Sequence, residues 1–145
     1  MKARHIATLL TGAGLTAWAL MSCNLSAVSI DQRISDFQSD LNTSDRANVY
    51  QDFHPTETSQ YNALKDPNTS QFNTNFPPGS YTLSVVNESN TTAVIVRVTG
   101  PTSGLGYPSP YYLSLSMDTY NGNDYRIVTL SVGGATSGPY QQVYK

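Results

Sequence analysis

The stretch "YYLSLSMDTYNGNDYRIVTLSV", residues 111–132, decides the fold. Two runs of period two flank Asn121, Gly122 and Asn123, and an Asn-Gly pair between alternating runs signals a hairpin because both residues accept the positive φ of tight turns. Successive side chains on a strand point to opposite faces. Leu113, Leu115 and Met117 therefore share one face, and Ser114, Ser116 and Asp118 share the other. On the second strand Val128, Leu130 and Val132 form the apolar row, opposite Ile127.

The same reading extends upstream. "YTLSVVN" (81–87) and "TTAVIVRV" (91–98), joined by "ESN" (88–90), predict a second hairpin in which Val94, Val96 and Val98 line up. Between the hairpins, "TGPTSGLGYPSP" (99–110) is dense in Gly and Pro and reads as a loop. After them, "GGATSGPYQQVYK" (133–145) reads as a loose tail, with a short edge strand at Gln141 to Tyr144 as the alternative.

Before Ser80 the period changes. In "SIDQRISDFQSDL" (29–41), Ile30, Ile34, Phe37 and Leu41 are spaced by four, three and four, one stripe on a helix. Ser29 followed by Gln32 predicts a capping box. A second helix is expected after Thr43 or Ser44, with Arg46, Val49, Tyr50 and Phe53 on one side and Pro55 as its stop. A short helix through Leu64 and another starting at Pro67, with Phe72 and Phe76 on one face, complete the helical half. Helices followed by a meander give an α+β domain over residues 29–132, the helices packed on one face of a curved four-stranded antiparallel sheet.

The N-terminus has a different character. "MKARH" carries Lys2 and Arg4, the next sixteen residues carry no charge, and Ser22 stands at a cleavage position, the profile of a signal peptide over residues 1–22. The apolar run is shorter than the ~20 residues of a spanning helix and contains Gly12 and Gly14. Leu20, Met21, Ser22 and Cys23 resemble the lipobox of bacterial lipoproteins. That resemblance implies a diacylglyceryl group on the Cys23 sulfur, cleavage after Ser22 and acylation of the new N-terminus. Cys23 is the lone cysteine of an exported chain, and an anchor accounts for it. An ordinary secretory signal ending near a free thiol is the simpler alternative.

Residues 23–28 then form a tether, and the expected location is the bacterial cell envelope. Asn24 after the cysteine favours the outer membrane, by resemblance to enterobacterial sorting. Two or three acyl chains would hold the protein at the membrane where one would not. Removing residues 1–22 leaves six basic residues against ten acidic ones, which argues against nucleic acid as a partner. Five N-x-S/T sequons, at Asn24, Asn42, Asn68, Asn87 and Asn90, read as polar surface behind a lipobox.

The helical entry ending in "YQDFHP", the later strands and the final hairpin carrying "DYRIVTL" resemble the nuclear transport factor two-like superfamily, a cone-shaped, cystatin-like α+β fold shared with ketosteroid isomerase. Tyr125, Arg126 and Ile127 match the aromatic, basic and aliphatic residues that members carry in the last long strand. The small strand between that family's second and third helices has no counterpart in this sequence. The resemblance implies either a binding domain or a cavity enzyme of isomerase or dehydratase type.

Chemistry is sparse. His54 in "DFHP" is the only histidine after processing and is expected to cap a helix end, with a general base oriented by Asp52 as the alternative. Ser103 and Ser137 sit at the wrong position for a nucleophile elbow. Gly104 and Gly106 lack the third glycine and following helix of a phosphate loop. No metal-ligand spacing stands out, and no cofactor is expected. Tyr107, Tyr111 and Tyr112 in "GYPSPYY" combine amphipathic surface with proline stiffness and form the candidate binding loop. No carboxylate falls in the apolar strand rows, which favours a noncatalytic domain binding a ligand or protein over a cavity enzyme.

Overall fold

A computed structural model describes residues 28–56, 58–66, 71–90 and 93–145. The signal segment, Cys23 and the helix start at Pro67 lie outside the described residues. The chain is α+β, with helices α1 (Ile30–Asn42), α2 (Thr58–Leu64) and α3 (Phe72–Asn75) and a 3-10 turn at Val49–Asp52. Five strands follow: β1 (Thr82–Asn90), β2 (Ala93–Thr99), β3 (Tyr111–Tyr120), β4 (Asp124–Gly133) and β5 (Tyr140–Tyr144). They form one antiparallel meander in sequence order.

α1 forms where the stripe predicts it. Ser29 caps it, its Oγ accepting from the Gln32 N–H at 3.1 Å. The capping box is only half made, because the Gln32 amide turns forward and donates to Asp36 Oδ1 at 2.8 Å. Ile30, Ile34, Phe37 and Leu41 are all buried. Phe37 is fully enclosed and meets the rings of Phe53, Phe72 and Phe76 edge-on, at centroid distances of 5.7, 6.4 and 6.4 Å. α1 is also tied to the outer strand of the sheet. Asn42 donates to the Tyr81 carbonyl at 2.9 Å and accepts from the Tyr81 N–H at 2.7 Å, while Gln38 Oε1 accepts from the Leu83 N–H at 2.6 Å. Side-chain amides thus satisfy edge groups that would otherwise invite another strand.

The expected second helix is reduced to the 3-10 turn. Thr43 ends α1 instead of starting a new helix, donating through Oγ1 to the Asp40 carbonyl at 2.7 Å. Arg46 then takes a φ of 52° and is buried. Its guanidinium donates to the carbonyls of Leu41, Phe76 and Pro77 and to Asn73. A buried cation spent on the free carbonyls at a helix end fixes the turn, which a propensity reading does not see.

The sheet has five strands where four were expected. The 133–145 segment is no loose tail: Tyr140–Tyr144 pairs with β4, and the Tyr144 ring lies 4.3 Å from that of Phe53. β1 also runs on through the expected turn to Asn90, with register shifts at Val85/Asn87 and Glu88/Asn90. The predicted rows Val94/Val96/Val98 and Leu113/Leu115/Met117 are buried in the same core as the helix stripe. On β4 the buried set is Ile127, Leu130 and Val132, and Val128 is only half-buried. The cause is a bulge: Ser116 pairs with Thr129 but Met117 pairs with Ile127, so Val128 is the extra residue and side parity reverses there. Asn121 (φ 50°) and Gly122 (φ 98°) make the β3–β4 turn as their types predict.

Candidate functional site

The tyrosine loop does not form one contact surface. Tyr111 begins β3 fully buried, and burial raises its phenol above the usual range with no hydrogen-bond partner for the hydroxyl. Tyr112 points to the opposite side and is half-buried. Tyr107 packs partly buried against the core. Its carbonyl accepts from Ser103 N–H at 2.9 Å, and Gly104 N–H donates to the Asn75 carbonyl at 3.0 Å. A Cβ at Gly104 would lie 1.7 Å from the Thr74 carbonyl oxygen, so the loop's close seat on α3 requires glycine. The loop is a strap across α3, and Tyr111 belongs to the core.

His54 neither caps a helix nor pairs with Asp52. Its backbone N–H donates to Ile127 at 2.8 Å, its ring bonds Thr56, and it stands edge-on to Tyr120 at 5.5 Å. Asp118 is exposed and accepts from the Thr119 N–H. No described helix is long and apolar enough to cross a membrane.

Among the described residues, two openings differ sharply in chemistry. The larger, about 470 Å³, is a groove lined by Ala63 and Leu64 of α2, Phe72 of α3, Leu130 of β4 and Val143 and Tyr144 of β5. Gln60, Gln71 and Asn75 supply amides at its margin. α2 is positioned by side chains above it: Tyr61 meets Tyr50 edge-on at 5.6 Å, and the Lys65 ammonium lies over both rings. β5 is what closes the groove. The Tyr144 hydroxyl donates to the His54 carbonyl at 3.3 Å, and Gln60 accepts from the Lys145 N–H at 3.0 Å. An apolar lining with a few polar groups is the usual chemistry of a small-molecule site.

The second opening, about 250 Å³, is polar and lies between α1 and the 3-10 turn, with Arg33, Asp36, Asp40, Asn48, Gln51 and Asp52 on its walls. Arg33 is its hub. It donates to Asp52 Oδ1 at 2.9 Å, to Asp124 Oδ1 at 2.5 Å and to the Tyr125 carbonyl at 2.8 Å. Asp124 is shared with Arg126, whose guanidinium lies over the Tyr120 ring at 4.3 Å. Asp52 is fully buried and its Oδ2 has no donor. Burial, opposed by the Arg33 bond and assisted by Asp40, pushes its carboxyl up to about 7. Asp40 is also raised, chiefly by burial, and its carboxyl is within hydrogen-bonding reach of Asp52. Two ionised carboxylates cannot hydrogen-bond each other, so that bond exists only while one holds a proton. Among the described residues no three His, Cys, Asp or Glu side chains are grouped to hold a metal ion.

The sequence pointed to Asp52 only as a partner for His54. The missed signal is Arg33 inside the apolar face of α1, one residue before Ile34: a charge at that place calls for a buried carboxylate. No family model matches the chain, no curated protein matches it, and no solved structure matches its fold.

Proposed function

We propose that this chain is a lipid-anchored lipoprotein of the bacterial envelope whose single domain binds a small apolar ligand without transforming it. The observation that carries the binding half is the groove between α2, α3 and β5, where aliphatic and aromatic side chains stand beside amides that can orient a polar group. The anchoring half rests on the basic start, the apolar run and the Leu20-Met21-Ser22-Cys23 sequence. The order of helices and then antiparallel strands supports the likeness to the nuclear transport factor two-like superfamily and, with it, a cone whose open end is the groove. The alternative within that superfamily, a cavity enzyme, needs an acid facing inward from the sheet. The buried strand rows are apolar and Asp118 faces outward, which supports the binding role.

Indole, an apolar ring with one N–H donor, is a suitable probe for the groove. Added to the full mature protein in lipid nanodiscs, it is expected to shift the methyl resonances of Leu64, Leu130 and Val143 and to lose that effect in Ala63→Trp, which fills the groove. Shifts that are absent, or that persist in Ala63→Trp, contradict the reading. For the anchor, wild-type protein made with its signal is expected in the detergent phase with acyl mass on Cys23. Cys23→Ser is expected to be water-soluble or to keep its signal uncleaved, and an unmodified wild-type Cys23 would overturn the assignment.

A further inference from the structure

We propose that the ligand of the groove between α2, α3 and β5 is an uncharged amphiphile, an aliphatic chain whose head group both donates and accepts hydrogen bonds, as a primary carboxamide does. The assignment rests on the groove being a ligand site and adds the class of ligand it takes. Leu64, Phe72, Leu130 and Val143 supply apolar wall, and the polar side chains beside them are the amides of Gln60, Gln71 and Asn75. The Tyr144 hydroxyl is committed elsewhere, donating to the His54 carbonyl at 3.3 Å.

Among the described residues no Asp, Glu, Lys, Arg or His lines the groove. Residues 67–70, which lead into α3, are Pro, Asn, Thr and Ser and carry no charge either. Two lysines stand nearby. The Lys65 ammonium lies over the rings of Tyr50 and Tyr61, at 5.8 and 5.1 Å. Lys145 is exposed on a smaller opening that shares Gln60, Val143 and Tyr144 with the groove, and an exposed ammonium adds little to the hold on a carboxylate. An ionised head that leaves water for walls without an opposite charge loses hydration and gains no partner. A carboxamide loses less and regains it, because each side-chain amide offers both donors and an acceptor. Gln71 and Asn75 are joined by a helical bond from the Asn75 N–H to the Gln71 carbonyl at 2.9 Å, a spacing that makes their side chains neighbours. Gln60 on α2 adds a third amide, its Oε1 accepting from the Lys145 N–H at 3.0 Å. The space, about 470 Å³, lies in the range of small-molecule sites and takes a short chain with its head.

The experiment compares hexanamide, hexanoate and hexylammonium, one chain under different heads, at about pH 7 with the full chain in lipid nanodiscs, following the methyl resonances of Leu64, Leu130 and Val143. Hexanamide is expected to saturate these shifts with a Kd on the order of 1 mM, and both ions to bind at least about tenfold more weakly. Gln71→Leu combined with Asn75→Leu, at an exposed and a half-buried position, is expected to keep the fold and to weaken hexanamide about tenfold, the loss of two modest hydrogen bonds. A folded double variant that binds hexanamide as tightly as the wild type would overturn the proposal. So would equal binding of all the probes, the outcome if the head stays in water, or a preference for hexanoate, the outcome if Lys145 reaches the ligand. Those results leave the groove itself standing as a ligand site, as do shifts from indole without shifts from hexanamide, which overturn the head group alone. No shift from any probe, indole included, would remove both.

Discussion

α1 and the α2–α3 pair bury side chains in one core, but they are held to it by different means. α1 is thirteen residues long, is capped, carries a complete apolar stripe, and is pinned by Arg33, Gln38 and Asn42 to three places on the sheet. α2 and α3 are seven and four residues long, and the groove opens beside them. Isolated helices of that length have little stability of their own. The apolar face of α1 packs onto a filled core, whereas the apolar groove opens beside the two shorter helices. One domain thus combines a well-tied helix with a groove left open beside short ones.

The comparison breaks first at Phe37. Truncation to alanine removes a fully enclosed ring that meets three others and is expected to cost about 3–5 kcal/mol in urea unfolding. Asp36→Ala, one residue away and half-exposed, is expected to cost less than about 0.5 kcal/mol. Similar losses at both would mean that α1 does not dock as described.

The polar anchor of α1 has its own signature in pH. The Asp52 carboxyl rises in the folded protein from an ordinary 3.8 to about 7. Its contribution is therefore fully present below about pH 4, where both states hold the proton, and is lost as pH rises through about 7. The native state binds the extra proton across that window. Stability of the wild type relative to Asp52→Asn is thus expected to fall with rising pH, by about 1.4 kcal/mol per unit at the steepest. A difference that stays flat from pH 4 to pH 7 contradicts the buried carboxyl pair.

On the looser side, Leu64→Ala is expected to cost about 2 kcal/mol, the low end for a buried leucine, because one side of Leu64 already faces the groove. A loss as large as that at Phe37 would mean that the groove is filled in solution.

Much of this architecture was legible where periodicity is strong. The α1 stripe, the β2 and β3 rows and the Asn-Gly hairpin all follow from spacing alone. The misses have physical causes. The Val128 bulge reverses parity within a run that reads as unbroken alternation. β5 carries two glutamines in five residues, and only its pairing with β4 and the contact of Tyr144 with Phe53 identify it as a strand. Arg46 replaces a helix start with a left-handed turn by bonding carbonyls 30 and 31 residues away. Tyr111 reads as loop surface next to Pro110 but begins β3 on the buried face. Both openings depend on such long-range contacts, so neither could be drawn from local pattern.

An apolar groove thus stands against a polar crevice whose buried carboxyl is raised to about 7. The direct measurement is the pH titration of the Asp52 carboxyl carbon by NMR, in the full chain. A midpoint near 7 with a smaller coupled step from Asp40 is the expected result. A single midpoint at or below the ordinary carboxylate value would contradict it, placing Asp52 in a plain ion pair with Arg33 and leaving the crevice with no unmet acceptor.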